Sequence, residues 1–452
     1  MLRIKVHRGT KEIGGSITEI YTEKTHIFVD FGTELNTDPE ASTDPKMIDM
    51  INNAKCDAVL FTHYHGDHIG LLEHIPKKDI DGKTIKLAMG KVAKKVLINI
   101  HKTLARYNDS SQNHKKYLEI LNDKERIQDI EEAKPLYFGV DKDIKVTPIR
   151  VDHSAYDAFM FIIEAEGKVV VHTGDFRTHG RWGKGYYDQL LKNLSDISVD
   201  VLIIEGTMMS RLYEKVMTER ELQEEARKEL AKPENKYAFL ICSSTNVESL
   251  ASFANAARDL KRAFYVNSYV YEQIELYRST VGEDYLKRND LYTGKNDERA
   301  FMFDKTYKFE NMEKYNPKLN STQPEYMREN GFLMLIGSSD KYKERMDYFI
   351  GENPLLIYSM WNGYIRKGED TYNEKLGKLY HGWNPDRRNA KLHTSGHATA
   401  KDIQNMILTV KPQQAIIPIH TEKPEEFRKL DIGEYADIIL EKLVDGEVVE
   451  VK

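Results

Sequence analysis

The stretch Phe61–Gly70 reads "FTHYHGDHIG": three histidines and an aspartate within six positions, directly behind the apolar run "AVLF". His63 and His65 are two apart, so an extended backbone turns both side chains the same way. Gly66 then permits a sharp turn, and Asp67 and His68 follow at the start of a helix. This arrangement serves two metal ions, one taking His63 and His65, the other Asp67 and His68. Imidazole and carboxylate without thiolate suit a catalytic pair of Zn²⁺ ions, with Mn²⁺ the alternative. The plain alternative is a loop of solvated polar residues. Four potential ligands in six positions after a buried strand argue against it.

Four ligands from one loop do not complete two sites. His153 in "VDHSAYD", Asp175 at the end of "VVVHTGD" and His420 at the end of "AIIPIH" each follow an apolar strand. Strand ends are where a rigid scaffold presents chemistry. Taken singly, each is equally well a hydrogen-bonded strand cap. Taken with the first cluster they supply the missing ligands, with Asp175 placed to bridge.

The elements that must position these residues follow from the apolar pattern. "MLRIKVHRGTKEIGG" lacks the apolar core of a secretion signal and reads as a first strand. "ITEIYTEKTHIFVDFG" reads as a hairpin ending at Asp30, and "CDAVLFTH" as a buried strand. Residues 91–134 are charged and read as helical. "AFMFIIEAEGKVVVHTGD" is two strands joined by a turn at Glu166–Gly167, and "VDVLIIEGT" another strand. From Thr207 a second pattern begins: a helix in "TERELQEEARKELAK", a strand in "YAFLICSS" and a helix in "NVESLASFANAARDL", one unit of a parallel sheet. Residues 286–330 are polar and read as irregular surface, and "PLLIYSM" restores a strand.

Composition narrows the class. The 452 residues are 40% hydrophobic and 31% charged, enough for two domains or one large one. No apolar run approaches the ~18 residues of a membrane helix, so no membrane partner is expected. Cys56 and Cys242 lie in apolar strand-like stretches and offer neither a disulfide framework nor a thiolate site, which fits a reducing cytoplasm. A formal net charge of −6 gives no global attraction to nucleic acid. Any such binding must rely on a local basic groove or on metal ions.

With these residues in place, the chain resembles the metallo-β-lactamase superfamily, whose H-x-H-x-D-H signature is followed downstream by a histidine, an aspartate and a last histidine. The matching positions are His63, His65, Asp67, His68, His153, Asp175 and His420, and Asp30 matches the aspartate that supports the loop from behind. The long separation of Asp175 and His420 resembles the β-CASP nuclease branch. Glu205 matches its added acidic residue, and His397 in "SGH" its added histidine. "SSTNVESLASFANAA" is similar to the strand-to-helix segment of ribonuclease J. The acidic motif departs from the family by reading "EGT".

The resemblance implies an α/β fold, a metallo-β-lactamase αββα sandwich with an inserted α/β β-CASP domain. The core would span 1–206 and 371–452 and the insertion 207–370. It implies a zinc-dependent ribonuclease that cleaves single-stranded RNA with water activated by two metals, as an endonuclease, a 5′-exonuclease or both. Asp67 would accept the proton, His397 would act on the leaving oxygen, and Glu205 would orient His397. Small residues Ser395 and Gly396 beside His397 would let a phosphate approach, and Ser244 and Asn246, opening a helix, would bind one as well. A homodimer is compatible, although the chain ends soon after His420, without the assembly domain usual in ribonuclease J. A DNA-directed β-CASP nuclease is the rival within the branch. A small-molecule hydrolase of this fold needs neither the insertion nor the "SGH" turn, and an inactive scaffold would have lost ligands. His74, His172 and His179 are expected at the surface or behind the site, and His393 outside it.

Overall fold

Along Leu2–Arg8 every second residue is buried, so this strand keeps one face in a core and leaves the other half-exposed. It opens the first of three sheets. The computed structural model describes residues 1–35, 44–107, 111–194, 197–287, 306–308, 327–369, 371–383 and 388–452. Contacts divide these into two units: Met1–Thr178 with Trp182–Lys215 and Gly396–Lys452, and His179–Arg181 with Val216–Ser395.

The first unit holds two sheets. One runs in the order Val448–Val451, Leu2–Arg8, Ile17–Tyr21, His26–Val29, Ala58–Leu60, Lys86–Gly90, Ile127–Ile130. Its first four strands pair antiparallel and the later ones parallel. The other runs Ala415–Ile419, Val201–Glu205, Lys168–His172, Ala158–Ala165, Ile144–Val151, Leu136–Phe138. The two share one apolar core, in which Ile4, Ile27 and Leu60 meet Phe159, Ile203 and Ile417. The alternate residues of the second sheet, such as Met160, Val171 and Leu202, pack outward against Leu190, Ile403 and Met406 of helices Gly183–Leu194 and Ala400–Val410. Helix Lys91–Tyr107 covers the first sheet. The result is the expected αββα sandwich.

The helical reading of 91–134 needs one correction. Helices occupy Lys91–Tyr107 and Ser111–Leu121, but Ile127–Ile130 is an edge strand. A turn from Asp123 to Arg126 stops the helix, and the Arg126 carbonyl accepts from Leu87 N–H, which starts the pairing.

The second unit is built on an all-parallel sheet in the order Thr306–Lys308, Ala263–Val266, Phe332–Leu335, Tyr237–Cys242, Leu355–Ser359, Asn389–Lys391. Helix Glu219–Ala231 starts in a capping box made by Thr218 and Glu221, and helix Val247–Asp259 starts at the Asn246 cap. Because Asn389–Lys391 pairs in this sheet, the residues after 370 stay with the second unit up to Ser395. The polar stretch 286–330 lies largely outside the described residues, Thr306–Lys308 being a strand within it. Among the described residues no helix is long and apolar enough to cross a membrane.

One buried charge belongs to the scaffold. Glu19 is 8% exposed and accepts from His7 Nε2 at 2.8 Å and His26 Nδ1 at 2.6 Å. Burial opposes its charge, but the two imidazole N–H groups outweigh burial and hold its carboxyl at about 2, below the ordinary 4.5. Its contribution is therefore present above pH 4.5 and is lost as pH falls through about 2. Glu19→Gln is expected to lower stability at neutral pH by about 1–3 kcal/mol and to flatten the acid loss over that window. Denaturant melts at stepped pH measure both, and equal acid sensitivity in the two proteins would refute the assignment.

Candidate metal centre

The ends of five strands of the sandwich bring the sequence-derived residues together. Asp30 follows His26–Val29, and His63, His65, Asp67 and His68 follow Ala58–Leu60, the last two inside the short helix Gly66–Ile69. His153 follows Ile144–Val151, Asp175 follows Lys168–His172, and His420 follows Ala415–Ile419. Asp30 and His420 have φ of +61° and +53°. Residues other than glycine enter this region only when their surroundings enforce it, and such strain gathers at functional sites.

Four groups of ligand atoms result, each within 4.8 Å: His63–His65–His153, Asp67–His68–His420, His63–His68–Asp175, which joins the first two, and His153–Asp175–His397. His65 Nδ1 lies 3.2 Å from His153 Nε2. His68 Nε2 lies 3.1 Å and His63 Nε2 3.9 Å from Asp175 Oδ2, and His420 Nε2 lies 3.1 Å from Asp67 Oδ2.

The partners behind each ring set its tautomer. His68 Nδ1 donates to Asp30 Oδ2 at 2.7 Å and His153 Nδ1 to the Gly396 carbonyl at 2.6 Å. The Thr62 hydroxyl donates to Asp30 at 2.8 Å, so its lone pairs accept from His63 Nδ1 at 3.0 Å. His420 Nδ1 donates to Thr207 Oγ1 at 2.8 Å. With Nδ1–H used behind the ring, Nε2 carries a lone pair into the cluster. There His63 Nε2, His68 Nε2 and Asp175 Oδ2 are buried without a hydrogen bond, even though the last two are 3.1 Å apart. Buried charge without a partner is uncompensated, and a metal cation held by these atoms would supply the compensation in place of the proton that His68 and Asp175 otherwise share. The donors, nitrogen and carboxylate oxygen, fit Zn²⁺.

Electrostatics divide the rings: burial opposes the charge of His68, but Asp175, then Asp30 and Asp67, outweigh it and raise His68 well above its ordinary value. Burial, reinforced by the neighbouring imidazoles, pushes His63 well below its ordinary value. Burial also lowers His153 well below the ordinary range and His65 to about 4, so these rings stay neutral. Burial opposes the charge of Asp67 and Asp175. The adjacent imidazoles outweigh it, His68 first at Asp67 and His420 first at Asp175, and hold both carboxyls below the usual range.

His397 stands beside the cluster, 24% exposed, with Nδ1 3.3 Å from Glu205 Oε2 and 3.5 Å from Asp175 Oδ2. Burial opposes its charge, but Glu205 and then Asp175 outweigh it and raise it to about 9. Glu205 is fully buried and accepts from Phe176 N–H at 3.0 Å and Ala398 N–H at 3.2 Å. A Cβ on Gly396 would sit 2.5 Å from Ser154 Oγ, so a larger residue there would have to displace that hydroxyl. Ser244, Asn246 and Ser395 belong to the second unit, not to the cluster. Asn246 uses its side chain on Ser249 as a helix cap, and Ser395 accepts from His179 Nε2 through its carbonyl. His179 and His393 lie in that unit as well, while His74 sits 3.3 Å from Glu73. His172 is not a surface residue: it is fully buried, and its Nδ1 accepts from Gly174 N–H.

Sequence reasoning missed Thr62 and Thr207. Both had a visible signal, since Thr62 directly precedes His63 and Thr207 closes "EGT".

Comparison with known proteins follows the geometry. Residues 25–238 match the Beta-lactamase superfamily domain, and residues 387–430 match the Zn-dependent metallo-hydrolase RNA specificity domain. The chain is 28% identical over 213 residues to an RNase J-like protein of Methanocaldococcus jannaschii, covering 47% of this chain and 44% of that one. The match thus spans less than half the length of this relative. A crystal structure of a protein of unknown function from Enterococcus faecalis V583 superposes with a TM-score of 0.65 at 20% identity, over 99% of both chains, and so shares the fold.

If the converging lone pairs hold metal, ions bind the folded chain and not the unfolded one. Zinc added to metal-stripped protein at about a hundred times its dissociation constant is expected to add about 2.7 kcal/mol of stability. Asp175→Asn should abolish most of that gain. A melting temperature indifferent to zinc in the unsubstituted chain would overturn the metal assignment.

Proposed function

We propose that this chain, a ribonuclease J-like relative within the metallo-β-lactamase superfamily, hydrolyses phosphodiester bonds of single-stranded RNA using two Zn²⁺ ions. The observation that carries the proposal is that Asp175 groups with His63 and His68, one residue from each of the two ligand sets, with the His397–Glu205 pair 3.3 Å apart beside it. His63, His65 and His153 would hold one ion, Asp67, His68 and His420 the other, and Asp175 both. Mn²⁺ has the same donor preferences and is the alternative. Similarity to the RNA specificity domain over residues 387–430, which include His397 and His420, supports RNA over other phosphodiesters.

Bound ions of this kind lower the pKa of water and neutralise charge on phosphoryl oxygens. The chain's own residues do the rest. Asp67, ionised throughout the working range, takes a hydrogen bond from the attacking water and its proton in transit to solvent. Attack forms a new P–O bond and breaks the bond to the 3′ oxygen. His397, kept protonated by Glu205, gives that oxygen its proton. Cations compensating Asp175 would bring His397 down towards neutrality, where an acid both holds and releases a proton. Gly396, next to His397 in the first unit, keeps bulk away from the phosphate. In the second unit, Ser244 and the backbone at the start of Val247–Asp259 would take another RNA phosphate, since the Asn246 side chain is already committed to the cap.

His397→Ala is expected to lower turnover by about 10²–10⁴-fold while the metal content stays that of the unsubstituted chain. Loss of metal in that variant would make His397 a ligand. End-labelled RNA carrying a 5′-monophosphate or a 5′-triphosphate, run beside matched DNA, reads the reaction itself. The expected products carry 5′-phosphate and 3′-hydroxyl ends. Cyclic 2′,3′-phosphate ends would refute attack by water, and cleavage of DNA alone would refute RNA as the substrate.

A further inference from the structure

The three carbonyls at the heart of the metal loop each accept one N–H from outside it. Thr33 N–H donates to Gly66 O at 3.0 Å, Ser16 N–H to Asp67 O at 3.0 Å, and Phe31 N–H to His68 O at 2.7 Å. The donors come from two segments, Gly14–Ser16 and Phe31–Thr33, joined to each other by Gly32 N–H to Ser16 O at 3.3 Å. Contact is so close that a Cβ on Gly32 would lie 1.7 Å from Asp67 O. Asp67 and His68 therefore sit wherever these two segments sit.

Arg8 holds both segments. It ends the first strand and is 5% exposed. Its Nε donates to the Gly15 carbonyl at 2.8 Å and its Nη2 to the Gly32 carbonyl at 2.5 Å. Its Nη1 pairs with Glu34 at 3.2 Å and with Asp44. A planar guanidinium reaches two carbonyls and two carboxylates at fixed angles at once, which a single ammonium cannot. Of the other ligand group, His153 is held by the Gly396 carbonyl, and His63 by Thr62, which meets the Arg8-held region only through Asp30.

We infer that Arg8 is a positioning residue for the Asp67–His68–His420 ion in particular, acting through the backbone of Gly15 and Gly32. The inference rests on the two-metal reading above. It predicts an asymmetry: loss of the guanidinium fork weakens one ion and spares the other. Removing partners that orient ligands from behind typically weakens metal affinity by about 10–100-fold.

The test is zinc titration of the metal-stripped full chain against a competing chelator, with Arg8→Lys, which keeps the charge for Glu34 and Asp44 but loses the fork. His420→Ala identifies which binding step belongs to the Asp67–His68–His420 group. In Arg8→Lys that step is expected to weaken by about 10–100-fold and the other to stay within about threefold, while Glu34→Gln, which leaves both carbonyl contacts intact, shifts neither. Two unchanged steps in Arg8→Lys, or two steps weakened equally, would overturn the role of Arg8 and leave the metal reading standing. No zinc uptake by the unsubstituted chain would overturn the metal reading itself. Should Arg8→Lys fail to fold, Arg8→Gln takes its place. Failure of both to fold in excess zinc would assign Arg8 to the scaffold and overturn the inference.

Discussion

The first unit is organised around a cluster of buried imidazoles and carboxylates whose lone pairs point at one another. Such a cluster is unfavourable on its own, because buried polar atoms without partners lose hydration and gain nothing. The protein tolerates it by fixing the far side of each ring. Asp30, Thr62, Thr207 and the Gly396 carbonyl take the Nδ1 protons of His68, His63, His420 and His153. Locked in this way, the rings cannot turn to satisfy themselves, and the unmet lone pairs become a preorganised cation site.

Backbone strain serves the same end. Asp30 and His420 adopt left-handed conformations at the ends of their strands. At Asp30 the strain is offset by Thr62, whose backbone N–H and hydroxyl both donate to the carboxylate, and by the bond to His68. At His420 the backbone N–H donates to the Gly9 carbonyl at 2.7 Å. Each site of strain is thus over-determined by several hydrogen bonds, the condition under which strain persists in a folded chain.

The tripeptide Glu205–Gly206–Thr207 links the cluster to the histidine beside it. Glu205 lies 3.3 Å from His397, and Thr207, two residues on, orients His420. Parallel pairing of Val201–Glu205 with Ala415–Ile419 makes this possible, since the register puts Glu205 opposite Ile419 and so sets Thr207 beside His420. One strand end therefore orients two histidines of the cluster, His397 and His420, together.

Residue identity and local spacing were enough to pick out four of the residues that the structure brings together. His63, His65, Asp67 and His68 lie within a single loop, and local backbone geometry decides how side chains so close in sequence can face. The strand patterns also disclosed an α/β layered domain and one unit of a parallel sheet, because burial on one or both faces leaves its period in the chain, while the sandwich and the insertion followed from the family resemblance. The edge strand Ile127–Ile130 escaped, since its half-exposed polar residues carry no apolar signal and its state depends on pairing with Lys86–Gly90. Tertiary structure alone decided which nitrogen each ring presents, that His65 presents Nδ1 where His63 and His68 present Nε2, and that Arg8 reaches the carbonyls beside Asp67. Those choices are made by hydrogen bonds between residues far apart in the chain. Sheet register brings such residues together, and no local pattern in the sequence records that register.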